Sequence, residues 1–327
     1  EVVHSDYFLA SRFPDWHMGW EGRENAPEQF QAIYLTEPST QQTMMANQEL
    51  EISSPWFAPE NYEALDEIEG VELAFTTWAC TQYIFFNTQA APTDDLNYRK
   101  ALSCLLDYES FLGPVFYGAE RSVGPVSSAI NGHNDSCTTY NYDIEQAKEY
   151  LAQSRYADTY QDIELECFLL DSAPALEKMM LSLQANCAQV GITMNIRKGP
   201  WLTYQEQISN PDSAPNVSTC NITPSVNDAA SVMRTLFGSA TQGTFENPTW
   251  VSTPELDERL DTAVTILDTD ERNAAAMELQ DYVMAELCAS APVADMANPY
   301  AYQSTYIDWP VADYYNETGE LKYYALG

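Results

Sequence analysis

The sequence is short of basic residues. Lysine and arginine together number 14 against 49 aspartates and glutamates, which gives a formal net charge of -35. No basic residue lies between Arg23 and Arg99 or between Arg272 and Lys322. Such a surface repels phosphate backbones, so nucleic-acid binding is excluded as a function. Two explanations remain: a field that attracts cationic ligands, or a solvated acidic surface suited to a saline exterior, which we favour because the acids are dispersed.

Long apolar runs are also lacking. No apolar stretch reaches the roughly 18 residues that a membrane-spanning helix needs, and no basic segment followed by an apolar core occurs near Glu1, so no signal peptide is visible. Apolar residues nevertheless make up 45% of the 327 residues, which indicates a folded protein rather than a disordered one. A chain of this length suggests two domains.

Patterns typical of metal centres are absent from the sequence. The seven cysteines include no C-x-x-C pair, and the histidines are only His4, His17 and His133. We therefore expect no metal site and no cofactor. An exported protein could still form disulfides, with Cys80, Cys137, Cys167 and Cys220 as the candidates. The odd total leaves at least one thiol unpaired.

Catalytic motifs are missing as well. The sequence contains no G-x-S-x-G elbow, no phosphate-binding Walker loop and no H-E-x-x-H helix. With 49 acids, pairs of carboxylates can be imagined in many places, but none has a recognisable spacing. We expect the protein not to be an enzyme, and a hydrolase is the least favoured alternative.

The clearest positive pattern is a strand–helix–strand unit in the second half of the chain. Residues 162–170 have the composition of a buried strand, residues 173–190 carry one apolar helical stripe, and residues 192–197 form a second strand. Such a unit requires a parallel, right-handed crossover. In open α/β sheets, ligands bind beyond the carboxyl ends of the strands, which points to the loops that follow residues 197 and 222.

A weaker pattern of the same kind lies nearer the start. Residues 29–36 alternate like a strand, residues 38–47 fit a short helix, and residues 49–52 fit a returning strand. The pattern predicts a second strand–helix–strand unit there.

Several short motifs occur in a fixed order along the chain: Ala46-Asn47-Gln48-Glu49-Leu50-Glu51-Ile52, Arg99-Lys100-Ala101-Leu102, Asp107, Tyr117-Gly118, Gly124-Pro125, and Tyr142-Asp143 with Ala147-Lys148 and Leu151. This series resembles that of the bacterial extracellular solute-binding proteins of family 5. These proteins are the dipeptide, oligopeptide and nickel receptors of ABC importers.

The resemblance implies an α/β fold of the periplasmic-binding-protein type II-like kind, with two lobes of mixed sheets joined by two crossing strands. Residues 1–75 would be the remainder of lobe I, residues 76–294 would be lobe II, and residues 295–327 would return to lobe I. Family members are usually longer and begin with a leader. We therefore expect the N-terminal part of the family fold to be missing, as in a truncated fragment.

The same resemblance implies a receptor outside the cytoplasm. It would be periplasmic or extracellular, with a lipid anchor as an option for the full-length form, and would act as a monomer. It would close on a peptide-like or other small polar solute between its lobes and deliver that solute to an ABC transporter permease in the membrane. The alternative from another class is an acidic extracellular protein-interaction module.

The candidate ligand-binding residues are Trp201, Asn221, Ser225, Asn227, Asp228 and Tyr300. Trp201 matches an aromatic of the family and could stack on a solute or pack over its own helix. Peptide-binding members carry, at the position of Ser225, an acid that pairs with the ligand's α-ammonium. A serine cannot supply that charge-assisted bond, which argues against recognition of a free peptide amine and leaves short peptides, modified amino acids, opines and small glycans open as solutes. Asp228 could substitute, but it more simply caps the helix that follows, and Tyr300 could edge the cleft or pack on the surface.

Overall fold

The computed structural model describes residues 1–17, 19–22, 26–35, 37–54, 57–171, 173–308 and 324–325. The strands are β1 (Val2–Val3), β2 (Tyr7–Ser11), β3 (Gln29–Ile33), β4 (Val71–Phe86), β5 (Glu120–Arg121), β6 (Glu164–Leu170), β7 (Thr193–Gly199), β8 (Val217–Ile222), β9 (Ser290–Gln303), β10 (Ile307–Asp308) and β11 (Tyr324–Ala325). The α-helices are α1 (Pro38–Ala46), α2 (Pro59–Asp66), α3 (Leu96–Cys104), α4 (Ile144–Gln153), α5 (Pro174–Gln189), α6 (Trp201–Ile208), α7 (Ala229–Phe237), α8 (Pro254–Ala263) and α9 (Thr269–Tyr282).

The chain divides into two compact units. The first contains Glu1–Thr77 and Ala297–Gly327, and the second contains Trp78–Met296. Both points of division fall inside long strands, since β4 spans Val71–Phe86 and β9 spans Ser290–Gln303.

The first unit contains a three-stranded antiparallel sheet in the order β1-β2-β3. The strand and the helix predicted over residues 29–47 are present as β3 and α1. The predicted return strand is wrong, because Ile52 makes only an isolated antiparallel bridge to Tyr302 of β9 while β3 pairs with β2. The partner of Ile52 therefore comes from the other end of the chain, and no local pattern could reveal it.

The second unit is built on a six-stranded mixed sheet in the order β5-β9-β4-β8-β6-β7. Strand β6 is parallel to both β7 and β8, whereas β4 and β8 are antiparallel. The predicted strand–helix–strand unit is confirmed as β6, α5 and β7. Its register runs from Glu164 opposite Thr193 to Leu170 opposite Gly199.

Each face of this sheet carries its own apolar core, because successive side chains of a strand point to opposite faces. One face buries a cluster that includes Ile84, Phe86, Leu165, Leu169 and Val217 beneath apolar residues of α3 and α5. The other face buries a cluster that includes Tyr83, Phe85, Phe168, Cys220 and Ile222 beneath α6, α7, α8 and α9. The segments that follow β7 and β8 are therefore fixed by packing on this second face.

Two buried charged side chains join distant parts of the second unit. The Arg99 guanidinium donates to the carbonyl oxygens of Leu287 (2.6 Å from Nη2), Cys288 (3.1 Å from Nε) and Thr93 (2.7 Å from Nη1). Burial lowers the pKa of Arg99 from its ordinary value. The arginine of the Arg99-Lys100-Ala101-Leu102 motif thus binds the backbone carbonyl oxygens of Leu287 and Cys288, where the helical segment before β9 ends.

The second is Asp295 of β9. Its Oδ1 accepts hydrogen bonds from the hydroxyls of Thr81 (2.7 Å) and Ser122 (3.0 Å), and its Oδ2 accepts one from the backbone N–H of Ser128 (2.8 Å). One carboxylate therefore connects β4, β9 and the loop that contains Gly124-Pro125, where Pro125 accepts a hydrogen bond from the Tyr83 hydroxyl at 2.9 Å.

Candidate ligand-binding surface

Two loops of the second unit lie at the same edge of its sheet, where the carboxyl ends of β7 and β8 are found. Strand β7 ends at Gly199 and leads into α6, while β8 ends at Ile222 and leads through residues 223–228 into α7. Both strands are parallel to β6, so their carboxyl ends point the same way. This edge is where open α/β sheets hold ligands.

Trp201 begins α6 at this edge. Its ring stacks on that of Tyr204, with centroids 5.7 Å apart at 24°, and meets Phe245 edge-on at 5.3 Å. The residue still leaves 38% of its surface exposed. Trp201 therefore packs on its own helix and also presents an aromatic surface to solvent.

Ser225 is exposed and lines a cavity of about 180 Å³. The cavity lies between the end of β8, the loop after it and one side of α7. Its walls are formed by Ile222, Pro224, Ser225, Val226, Val232, Thr235, Leu236 and Glu246. Five of the eight lining residues are apolar, and the other three bring two hydroxyls and one carboxylate.

Asn227 and Asp228 hold the same loop in place. The Asn227 side-chain oxygen accepts from the backbone N–H of Asn131 at 2.6 Å. Asp228 accepts from the Ser231 N–H at 3.1 Å, which confirms its predicted role as the cap of α7, and its other oxygen accepts from Arg272 Nε at 2.9 Å. The polar oxygens of both side chains are thus engaged within the protein.

Asn221 lies on the far face of β8 from the cavity. The register places Asn221 opposite Gln82 and Ile222 opposite Thr81, and neighbouring residues of a strand point to opposite faces. Ile222 lines the cavity, so Asn221 does not. It lies beside Cys80, whose pKa burial raises to about 12.

Tyr300 belongs to the first unit, on the part of β9 that follows Ala297. It packs, half-buried, against a small apolar cluster formed by Ala74 and Ile307. Of the six candidate residues, Ser225 lines the cavity, Asn227 and Asp228 belong to its loop, and Trp201 lies at the same sheet edge.

The sequence analysis missed Glu246. It lines the same cavity as Ser225 and directly follows Phe245, which contacts Trp201. Burial raises the pKa of Glu246 above its ordinary value. No sequence signal singles it out, because it is one of 49 acids and lies in an irregular loop.

The described residues contain no group of three or more potential metal ligands and no helix long and apolar enough to cross a membrane. All seven cysteines fall within the described part of the chain, where each is a buried free thiol. No disulfide forms among Cys80, Cys137, Cys167 and Cys220 in this structure.

The fold is shared with binding proteins of known structure. The structure of CtaP, an ABC transporter substrate-binding protein from Listeria monocytogenes, superposes with a TM-score of 0.84 at 16% identity and covers 100% of this chain and 65% of that one. The periplasmic binding protein DppA from Helicobacter pylori, solved with the peptide STSA, gives a TM-score of 0.79 at 17% identity, with coverage of 100% and 62%. The fold is therefore the α/β fold of periplasmic binding proteins.

The family model "Bacterial extracellular solute-binding proteins, family 5 Middle" matches residues 1–244. The chain belongs to this family, whose members are periplasmic or extracellular binding proteins rather than enzymes.

Curated relatives are similar over part of their length. Heme-binding protein A of Haemophilus influenzae is 27% identical over 192 residues, which are 58% of this chain and 35% of that protein. The probable D,D-dipeptide-binding periplasmic protein DdpA of Escherichia coli is 23% identical over 225 residues, which are 68% of this chain and 41% of that protein. The chain thus spans less than half the length of either relative.

Proposed function

We propose that this protein is an extracytoplasmic receptor that binds a peptide-like or other small polar solute and delivers it to an ABC importer. The observation that carries the proposal is the combination of an exposed Trp201 and a cavity beside Ser225 at one sheet edge of a family 5 chain. The names of relatives support a solute of peptide size, since they include dipeptide-binding proteins of Escherichia coli.

In this proposal the two compact units are the remainder of lobe I, with the return segment, and lobe II. Closure of the lobes on the solute would give the receptor a shape that a membrane permease recognises. The receptor acts as a monomer, either free outside the cytoplasm or tethered by a lipid. Its acidic surface disfavours nucleic acid as a partner.

Within the second unit, the proposed contacts have different roles. Trp201 supplies a flat apolar surface for the solute, and Ser225 offers a hydroxyl at the mouth of the cavity. Asn227 and Asp228 position the loop through their bonds to Asn131 and Arg272. They act on the solute through the shape of the loop.

A thermal-shift screen against dipeptides, opines, polyamines and oligosaccharides tests the proposal. Because ligand that binds only the native state raises Tm by mass action, one solute class should give a concentration-dependent rise. Trp201→Ala should abolish this shift. Leu202→Ala is the matched control, since Leu202 is its neighbour in α6 and is 77% exposed.

A shift that survives in Leu202→Ala and disappears in Trp201→Ala supports the receptor. A shift that both variants retain places the solute elsewhere. No shift with any class contradicts solute binding and favours the protein-interaction alternative.

A further inference from the structure

Trp201 is the first residue of α6, so its side chain has no preceding helical turn to pack against. Helical side chains lean towards the N-terminus and normally rest on that turn. Within α6, the Trp201 ring contacts only the ring of Tyr204, which is fully buried, with centroids 5.7 Å apart at 24°. A contact on one side would leave the indole free to swing towards solvent. A single orientation of the ring therefore requires a second contact.

Phe245 supplies that second contact. Its ring meets the Trp201 ring edge-on, with centroids 5.3 Å apart at 64°, which is a favoured geometry for an aromatic pair. Two aromatic rings therefore hold Trp201 from different directions, and 38% of the residue still remains exposed. Phe245 lies outside α6, in the loop at residues 238–253 between α7 and α8.

The loop at residues 238–253 contacts α6 at both ends of the helix. Phe245 touches Trp201, which is the first residue of α6. The Trp250 indole N–H donates to the carbonyl oxygen of Ile208, which is the last residue of α6, at 3.2 Å. The loop is therefore attached to the same helix that carries Trp201.

Buried polar contacts hold this loop in one shape. The Asn247 side chain is fully buried, where its Nδ2 donates to the carbonyl oxygen of Gly238 at 2.9 Å and its Oδ1 accepts from the Thr249 hydroxyl at 2.7 Å. The Thr249 carbonyl oxygen accepts from the backbone N–H of Thr88, just beyond β4, at 2.8 Å. A buried network whose groups are satisfied rigidifies the segment that carries it. Phe245 is thus presented to the indole at a fixed position.

We infer that Phe245 is a positioning residue for solute binding: it holds the Trp201 ring in one orientation, so that the exposed part of the ring meets the solute without rearrangement. A surface that is ordered before the ligand arrives avoids the entropy cost of immobilising a side chain on binding. This inference rests on the proposed solute-binding function. It adds to that function a residue from a loop that follows neither β7 nor β8.

The test follows the Trp201 ring directly and needs no solute. The protein is labelled with fluorotryptophan, and its 7 tryptophan signals are recorded by fluorine NMR, with Trp201→Phe identifying the Trp201 signal. In the native protein we expect one sharp Trp201 signal. Phe245→Leu keeps an apolar side chain but removes the ring, so the signal should broaden and move towards its position in unfolded protein. Phe245→Tyr keeps the ring and should restore the sharp signal.

The Trp250 signal is the internal control, because Trp250 lies in the same loop but contacts the other end of α6. It should be unchanged in Phe245→Leu if the loop keeps its shape. Phe8→Leu alters a phenylalanine of β2 that is 46% exposed, and it should leave both signals unchanged. A phenylalanine that only packs the loop would change the Trp250 signal as well, or neither signal.

The effect on binding is measured with whichever dipeptide, opine, polyamine or oligosaccharide raises the Tm of the native protein. Phe245→Leu should weaken this binding by about two- to tenfold, which is the affinity that ordering one side chain costs. Phe245→Tyr should restore the affinity, and Phe8→Leu should not change it.

A Trp201 signal that stays sharp in Phe245→Leu, a Trp250 signal that changes with it, or a broad Trp201 signal in the native protein would overturn the inference. Equal binding of the solute to the native protein and to Phe245→Leu would also overturn it and would leave the receptor proposal standing. If the Trp201 signal responds as expected while no solute class raises Tm, the receptor proposal fails and the positioning of Trp201 by Phe245 stands.

Discussion

Replacing the buried Arg99 by lysine should destabilise the second unit strongly, although the charge is kept. The guanidinium reaches three separate carbonyl oxygens, those of Thr93, Leu287 and Cys288. A lysine ammonium is one compact donor and cannot span the same fork, so about two of these acceptors lose their partner. A buried acceptor left unsatisfied costs about 1–3 kcal/mol, which gives a loss of about 2–6 kcal/mol for two.

We take about 3 kcal/mol as the expected loss, because values above roughly 4–5 kcal/mol are exceptional for one substitution. For a unit of 150–250 residues this corresponds to a fall in Tm of about 6–12 °C. The assay is thermal unfolding followed by circular dichroism, with a urea titration for the free energy of unfolding.

Arg234→Lys is the control, since Arg234 donates to Asp261 in a half-exposed pair that a lysine can replace. Its effect should stay within about 0.5 kcal/mol, as for other surface pairs. If Arg99→Lys behaves like Arg234→Lys, the three carbonyl contacts do not hold the helix end, and the structural account of the Arg99 motif is wrong.

Three further predictions follow from other buried groups. Asp295→Ala should cost about 2–4 kcal/mol, because it removes the acceptor of the Thr81 hydroxyl and of the Ser128 N–H, while the Ser122 hydroxyl keeps only the Gly124 carbonyl oxygen. An unchanged urea midpoint would contradict this network. In native protein at pH 8, a thiol reagent should label none of the seven cysteines rapidly, because all of them are buried. Burial also raises the pKa of several of these thiols to about 12, namely Cys80, Cys104, Cys137, Cys167 and Cys220. Fast labelling before unfolding would refute this prediction. The raised pKa of Glu246 means that the folded state binds its proton more tightly than the unfolded state. Glu246→Gln should therefore raise Tm above the shifted pKa of Glu246 and make no difference below its ordinary value, and a constant difference across pH would exclude this cause.

The parts of the fold that could be predicted are those that local residues determine. Strands β6 and β7 and helix α5 have apolar patterns of clear period, and Asp228 caps its helix as the sequence indicates. The strand at residues 49–52 could not be predicted correctly, since Ile52 pairs with Tyr302. That pairing depends on two segments far apart in the chain.

The location of the candidate site in the fold could be predicted better than the side chains that form it. The rule for open sheets pointed to the loops after β7 and β8, and the cavity lies beside the second of them. The face of β8 on which Asn221 lies depends on the register between β8 and β4. A slip of one residue would move Asn221 to the opposite face. Glu246 lines the cavity from the loop between α7 and α8, which contacts distant parts of the chain, such as Trp201 through Phe245 and Ile208 through Trp250, so its sequence context carries no signal.

Solute binding is the central claim, and native mass spectrometry of the protein equilibrated with pooled solutes tests it most directly. The account predicts a one-to-one complex with a peptide-like or other small polar solute, lost in Trp201→Ala and retained in Leu202→Ala. A spectrum that shows only the unbound protein with every solute class would contradict it.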